Sequence, residues 1–278
     1  MANLVLRIRI TLIFSFFLST IFAFAQEKQE KKESYTLGAG AVLTVTNDCG
    51  PVTLRPSLTK KVSVTTVWRS PAIRFVNKQR GKRLELRATA PSPCANLAEY
   101  TVLVPSADMV TVRSANGDLH VQGLHGDLAL ETSSSAITVS DMADAHLRAR
   151  TLSGSIDLEE VHHSHVDIYS LNGDIHLHNV AGSWLEGHST SGRITYDGDP
   201  GSEGEYKLFS HFGDLEVSIP STAQVDVEAR SLKSDQDAQG SAHIPAVGSK
   251  NSFLNSGSNN AVRFTLRSLR GNIRMTRP

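Results

Sequence analysis

A short phrase repeats through the middle of the chain, and it constrains the fold more than any other feature. It reads NGDLHV at residues 116–121, SGSIDL at 153–158 and NGDIHL at 172–177. The turn position recurs at residues 117, 135, 154, 173, 192 and 213, so successive steps are 18, 19, 19, 19 and 21 residues. Self-similarity at a nearly constant period close to 20 residues is typical of a solenoid.

Each period contains two runs in which apolar and polar residues alternate. The first run aligns an apolar column made of Leu119, Ile137, Ile156, Ile175, Ile194 and Leu215. The second run aligns Val110, Leu128, Leu147, Val166, Leu185 and Tyr206. Side chains alternate across a strand, so both columns face one interior. Flat hairpins are the alternative, but they would give mirror-related repeats, and these columns are translational. We predict an all-β chain, a single-stranded parallel β-helix (β-solenoid) with about 19 residues and two strands per coil.

The positions between the two runs read as corners of the coil. Gly is common there because it adopts positive φ without steric cost. A column of hydroxyl residues precedes it, in which a side chain can bond neighbouring backbone groups: Ser114, Thr132, Thr151, Ser170, Ser189 and Ser210. The conspicuous Asn-Gly-Asp phrase is therefore expected to be scaffold, and function is sought in the outward columns.

The start of the chain predicts export. Residues 1–25 combine Arg7 and Arg9, an apolar run over residues 10–22 and the small-x-small site Ala23-Phe24-Ala25, which together indicate a signal peptide. An uncleaved anchor is the alternative; after cleavage we expect no transmembrane segment. Residues 26–34 are charged and poor in apolar side chains, and we predict a disordered spacer there.

The rest of the chain divides by regularity. Residues 35–105 predict a less regular N-terminal β subdomain, residues 106–230 the regular solenoid, residues 231–260 a polar surface excursion and residues 261–278 a coil that closes the stack. The chain has two cysteines, Cys49 and Cys94. In an exported chain this even pair favours a disulfide over two free thiols, closing a loop worth about 4 kcal/mol in the chain-entropy model.

The turn phrases, the export signal, the early coil at residues 47–54 (NDCGPVTL) and the late looped-out coil together resemble a known family. They are similar to the bacterial adhesin-like β-solenoid proteins, catalogued as putative adhesins or as a domain of unknown function. The resemblance covers residues 35–278. It implies a β-solenoid and an extracellular interaction role, and it carries over no catalytic residue.

One outward face groups carboxylates with two histidines. Asp157 and Glu159 are followed one coil later by His176 and His178, and then by Asp197. Imidazole and carboxylate groups at this spacing are candidate ligands for a divalent metal. The alternative is an exposed cross-strand ladder of complementary charges. We favour the ladder, and therefore predict no metal and no cofactor.

The other outward face aligns aromatic and imidazole rings. Tyr169, His188 and Phe209 form one column after Arg150, and Trp184 lies in a second column. Exposed rings in a row are suited to stacking on sugar faces and form a candidate glycan-binding surface. The alternative, which we favour at this point, is that these rings cover the flank of the solenoid.

Charge is segregated along the chain. Residues 55–87 hold ten basic side chains and one acid, Glu85, whereas residues 108–216 hold eighteen acids and five basic side chains. A basic end is suited to anionic envelope polymers or lipid headgroups, and the alternative is strands that are simply kept from edge-to-edge association. Nucleic-acid binding is not expected, because the chain carries an export signal and no nucleic-acid-binding motif.

No GxSxG, HExxH or phosphate-binding loop occurs, and a 19-residue coil leaves little room for a cleft. We therefore predict no catalytic residues. The preferred hypothesis is an exported, non-enzymatic adhesion or interaction module in the periplasm, on the cell surface or secreted, with envelope or extracellular glycans or surface proteins as partners. A small polysaccharide-active enzyme and a periplasmic metal-binding protein are the alternatives.

Overall fold

The computed structural model describes residues 27–91, 94, 97–105, 109–232, 251–254 and 261–278. The predicted signal peptide and most of the predicted excursion lie outside the described residues. Within them, the chain forms two long sheets of 11 and 12 strands that enclose one core. None of the described segments is a helix long and apolar enough to cross a membrane.

The regular coils alternate between the two sheets. The strands that belong to the 12-stranded sheet are β8 (Met109–Asn116), β10 (Gly126–Thr132), β12 (Ala145–Thr151), β14 (His165–Ser170), β16 (Trp184–Ser189) and β18 (Glu205–Ser210). Those of the 11-stranded sheet are β9 (Leu119–Gln122), β11 (Ile137–Ala143), β13 (Ile156–His162), β15 (Ile175–Ala181), β17 (Ile194–Asp197) and β19 (Leu215–Ser218). Each strand pairs in parallel with its copy in the next coil, which confirms the predicted solenoid.

The predicted columns form the core in the predicted register. Ile156 lies opposite Ile175, and Ile175 lies opposite Ile194, each fully buried. Burial of such a side chain contributes about 1.5–3 kcal/mol, and the repeat multiplies that contribution along the stack. Tyr196 and Tyr206 are both buried in the core, with ring centroids 5.8 Å apart. Burial raises the pKa of Tyr206 to about 12.

Side-chain hydroxyl groups at one corner of the coil link successive coils through hydrogen bonds. The Ser189 hydroxyl donates to the backbone oxygen of Gly173 in the preceding coil (3.3 Å) and accepts from the backbone N–H of Gly192 (2.8 Å). Ser170, Ser210 and Ser268 repeat this pair of bonds. Buried backbone groups that would otherwise lack partners are thus satisfied, as the corner interpretation predicts. The prediction does not hold at the start of the column, where the buried hydroxyls of Ser114 and Thr132 form no hydrogen bond with any described residue.

The glycines at this corner are required by close backbone approach. A Cβ at Gly173 would lie 1.7 Å from the backbone oxygen of Gly154 in the neighbouring coil. The aspartate that follows caps the next coil, because the Asp174 carboxylate accepts from the backbone N–H of Arg193 (2.8 Å). The repeated Asn-Gly-Asp phrase therefore serves the scaffold.

The N-terminal part contains seven strands: β1 (Gln29–Thr36), β2 (Val42–Cys49), β3 (Val52–Pro56), β4 (Lys61–Trp68), β5 (Arg74–Arg80), β6 (Arg83–Thr89) and β7 (Ala98–Val104). Strands β2 and β3 form a coil that pairs with β8 and β9, and β6 and β7 stack on its other side. Strand β4 runs antiparallel beside β7, and β5 runs antiparallel beside β6 as the last strand of the 12-stranded sheet. The Cys49–Cys94 disulfide joins these two adjacent coils, with Cα atoms 5.6 Å apart, as the paired cysteines predict.

The prediction of a disordered spacer over residues 26–34 is wrong for residues 29–34. Residues 29–36 form β1, which pairs antiparallel with β4 along its whole length. Strand pairing uses backbone groups, which a charged segment offers as fully as an apolar one. Tyr35 adds a side chain that packs against the core. Strand β1 thereby covers an edge of β4 that would otherwise be unpaired.

The C-terminal part contains β20 (Val225–Ser231), β21 (Asn251–Leu254), β22 (Val262–Ser268) and β23 (Ile273–Thr276). Strands β22 and β23 do resume the column pattern, next to β18 and β19. The prediction that this coil closes the stack holds only for the 11-stranded sheet. In the 12-stranded sheet β22 lies between β18 and β20, with β21 beyond. Residue spacing cannot reveal this insertion, because β20 and β22 share one column pattern.

Candidate functional site

The outer face of the 12-stranded sheet carries the predicted rings. The register places Tyr169, His188 and Phe209 directly opposite one another on β14, β16 and β18, a set we call the ring column. Trp184 lies opposite His165 at the start of the neighbouring strand. The structure therefore brings the predicted ring residues onto one face, in two columns.

Within the ring column the side chains stack on each other. The centroids of Tyr169 and His188 are 6.1 Å apart with planes 22° from parallel, and those of His188 and Phe209 are 4.5 Å apart. Each ring therefore lies against the ring of the neighbouring coil. Such stacked pairs contribute about 0.5–1.5 kcal/mol beyond their burial. The column is thus a partly self-supported surface and not a set of free ring faces.

The packing in the ring column changes the pKa of His188. This residue is half-buried, and burial is the main cause that lowers its pKa from the ordinary histidine value. Glu186 and Asp167 act in the opposite direction, and His211 adds to the lowering. Burial therefore favours the neutral imidazole between the two rings.

Trp184 is held from two sides. The ring of His165 stacks against it at 5.8 Å, with planes 22° from parallel. The Lys207 ammonium lies 4.2 Å from the tryptophan ring centroid and also pairs with Glu205 at 3.0 Å. A cation over an indole ring is a favourable contact, so the ring has a defined orientation.

A shallow groove of about 530 Å³ runs beside Trp184 along the axis of the solenoid. We call it the main groove. It crosses β8, β10, β12, β14 and β16 at their first residues, from Met109 at one end to Trp184 at the other. Five strands at about 4.8 Å spacing give it a length of about 19 Å. This shape suits an extended molecule.

Charged pairs line the main groove between the rings. The His146 ring nitrogen lies 3.3 Å from the Asp127 carboxylate, and Arg148 donates to Asp167 at 3.2 Å. Sequence reasoning missed Met109, Asp127 and His146 as lining residues. The signal was available, because His146 is the residue one coil before His165 in the same column.

A second groove, of about 590 Å³, lies at the other ends of the same strands. Arg113, Glu131, Arg150 and Tyr169 are among the residues that line it. Arg113 and Glu131 pair at 2.9 Å. The ring column therefore begins where this groove ends, and both grooves open on one face.

The predicted metal candidates lie on the opposite face, that of the 11-stranded sheet. Asp157 lies opposite His176, Glu159 opposite His178, and His178 opposite Asp197, in the predicted register. The side chains engage neighbours separately: His178 lies 3.2 Å from the Asp197 carboxylate, and His176 contacts the Thr195 hydroxyl at 2.8 Å. Over the described ranges, no group of three or more His, Cys, Asp or Glu side chains is placed to hold a metal ion. The arrangement has the geometry of a cross-strand ladder.

Comparison with known proteins identifies the fold. Residues 42–276 match the model of a family described as Toastrack DUF4097. A crystal structure of a putative adhesin from Bacteroides fragilis matches with a TM-score of 0.55 at 12% identity, over 91% of this chain and 99% of the other. A putative adhesin from Parabacteroides merdae matches with a TM-score of 0.43 at 10% identity, over 89% and 96% of the two chains. No curated protein matches the chain.

Proposed function

The chain belongs to the Toastrack DUF4097 family, and we propose that it is an exported, non-enzymatic adhesion module that binds an envelope or extracellular glycan. The disulfide supports export, because such bonds persist in oxidising compartments. The similar Bacteroides fragilis structure is named a putative adhesin, which is the same class of role.

The observation that carries the proposal is the main groove. It is open, follows the solenoid axis for about 19 Å, and combines the rings of His165 and Trp184 with charged pairs. A glycan is an extended chain whose hydroxyl groups both donate and accept hydrogen bonds. Carboxylate and guanidinium groups at Asp127, Arg148 and Asp167 supply matching partners, while His165 and Trp184 supply apolar contact area.

Carboxylates in the main groove also raise the alternative of a polysaccharide-cleaving enzyme. Glycoside hydrolysis needs one carboxyl group that acts as an acid and a second that acts as base or nucleophile. Asp127 and Asp167 each already lie beside a cationic or imidazole partner, at 3.3 and 3.2 Å. Both carboxylates are thus already engaged by neighbouring side chains, an arrangement that suits the recognition of a ligand.

The test is a glycan array probed with the purified protein, followed by mass analysis of the retained glycans. We expect specific retention without shortening of the bound chains. The double variant His165→Ala/Trp184→Ala should lose at least about tenfold in affinity, since a buried aromatic anchor is worth that much in a binding surface. The matched control is His176→Ala/His178→Ala on the opposite face, which should bind as the parent does. Absence of any retained glycan, or release of shortened products, contradicts the proposal.

A further inference from the structure

Five basic side chains lie together at the N-terminal end of the 12-stranded sheet. Strands β5 and β6 are its last two strands there, and we call their outward basic residues the cationic patch: Arg74, Lys78, Arg80, Arg83 and Arg87. Leu84, Leu86 and Ala88 alternate with the β6 members and are buried. The patch therefore lies on the same outer face as the main groove.

The cationic patch keeps a net positive charge, because its five basic side chains share the face with one acid, Glu85, which lies opposite Lys78. Arg80 lies directly opposite Arg83 in the ladder, and like charges in that position are destabilising. Among the described residues, none of the five patch side chains forms an ion pair, whereas Arg113 and Arg148 on the same face pair with carboxylates at 2.9 and 3.2 Å. The fold thus retains an unfavourable arrangement at the patch and neutralises comparable charges elsewhere.

The patch is continuous with the main groove. A hollow of about 340 Å³ is lined by three basic side chains and one acid, together with apolar and hydroxyl residues: Lys78, Arg80, Arg83, Glu85, Leu84, Val42 and Thr44. Val42 lies opposite Arg83 on one side and Met109 on the other, and Met109 is where the main groove begins. From β6 to β16 there are six strand spacings, or about 29 Å.

We propose that the cationic patch binds acidic groups of an anionic polysaccharide that continues along the main groove. This rests on the proposed glycan-binding function and names the class of glycan. Guanidinium groups bind carboxylate, sulfate or phosphate oxygens in bidentate geometry, and a bound anion relieves the repulsion between Arg80 and Arg83. The ligand then makes apolar contacts at His165 and Trp184 and ionic contacts at the patch.

An anionic membrane is the other polyanion that a basic surface attracts. Membrane docking adds apolar side chains that insert beside the charges. On the patch itself the exposed apolar side chain is Val76, at 38% exposure, and the fully exposed Leu58 lies on the loop between β3 and β4 of the other sheet. A flat, charged surface continuous with a groove therefore favours a polymer chain over a bilayer.

The experiment measures binding of a fluorescein-labelled heparin oligosaccharide, used as a carboxylated and sulfated probe, against a neutral dextran oligosaccharide of similar length. We expect the heparin probe to bind more tightly and to weaken as salt rises, since exposed charges are screened. Arg80→Ala/Arg83→Ala should weaken heparin binding at least about tenfold. The matched control, Arg263→Ala/Arg267→Ala, removes the same charges at the far end of the same face and should change binding less than about twofold.

Thermal unfolding separates binding from a structural role. Because Arg80 and Arg83 oppose each other, their joint substitution should leave the Tm unchanged or raise it. Equal binding of heparin and dextran, or equal loss in the control variant, overturns the inference but leaves glycan binding by the main groove intact. Binding of vesicles with 30% anionic lipid that needs the patch, without heparin binding, also overturns it. Failure of both oligosaccharides and of the whole array would remove the proposed function itself.

Discussion

The two sheets share one interior but present different outer faces. Outward positions of β9 to β19 on the 11-stranded sheet carry hydroxyl, amide, carboxylate and imidazole groups, and no Phe, Tyr or Trp occurs among them. The 12-stranded sheet carries Tyr169, Trp184 and Phe209 in the equivalent coils, together with both grooves. The repeat therefore differs most where the core does not constrain it.

This difference shows which positions of a solenoid carry information about function. Inward positions must match from coil to coil, because a mismatched volume would leave a cavity or a clash. Outward positions are free of that requirement, and short polar side chains would keep them soluble. Large rings at these positions expose apolar area for which the fold has no need, so they point to the face that meets a partner.

The largest expected effect tests whether both faces depend on one scaffold. Gly173→Ala places a Cβ 1.7 Å from the backbone oxygen of Gly154, and backbone cannot move aside as a side chain does. We expect a loss of about 3 kcal/mol in the free energy of unfolding, measured by denaturant titration. Gly38→Ala is the control, since nothing lies within 4 Å of its Cβ position. Equal stability of the two variants would mean that the corner is not tightly stacked.

The next effect concerns the bonds that join the coils. Ser189→Ala removes a buried hydroxyl that bonds both Gly173 and Gly192, and leaves those backbone groups without partners. The expected loss in the free energy of unfolding is about 1–3 kcal/mol. The exposed neighbour in Ser191→Ala should show almost none. If glycan binding fell while stability did not, the corner would belong to the working face and not to the shared scaffold.

The smallest expected effect is a change in the pH dependence of stability, and it compares His188 on one face with His176 on the other. Burial lowers the pKa of His188, so below the ordinary histidine pKa the unfolded chain takes up the proton more readily than the folded one. His188 therefore costs no stability above that pKa and lowers stability as pH falls through it. The Tm drop between pH 7.5 and pH 5 should be smaller in His188→Gln than in the parent. His176→Gln, on the opposite face, is the control, and an equal change in both variants would contradict the prediction.

The parts of the fold that the sequence predicts are those set by local spacing. A 19-residue period determines which residues become neighbours, so the columns through Ile156, Ile175 and Ile194 and the corner serines follow directly. The paired cysteines indicated the disulfide. The columns and the corner depend on residues one coil apart, whereas the two cysteines, 45 positions apart in the sequence, were paired because an even number occurs in an exported chain.

The remaining features depend on long-range pairing that a period does not encode. Strand β1 pairs with β4 through backbone hydrogen bonds, and the identity of the side chains gives little indication of such pairing. Strand β22 lies between β18 and β20, which have the same column pattern as β22 itself. The ring columns were identifiable as rows, but the stacking of His188 on Phe209 depends on side-chain rotation, which the sequence leaves open.

The insertion of β22 between β18 and β20 has a consequence for assembly. Most coils can form as the chain emerges, each adding to the one before it, as in other repeat proteins. The 12-stranded sheet cannot be completed in that order, since β20 precedes β22 in the chain but stacks outside it. Strand β20 can form its parallel pairing only after residues 262–268 have been synthesised and have formed β22. Completion of the solenoid is thus a late, non-local step, and such steps are slow to form.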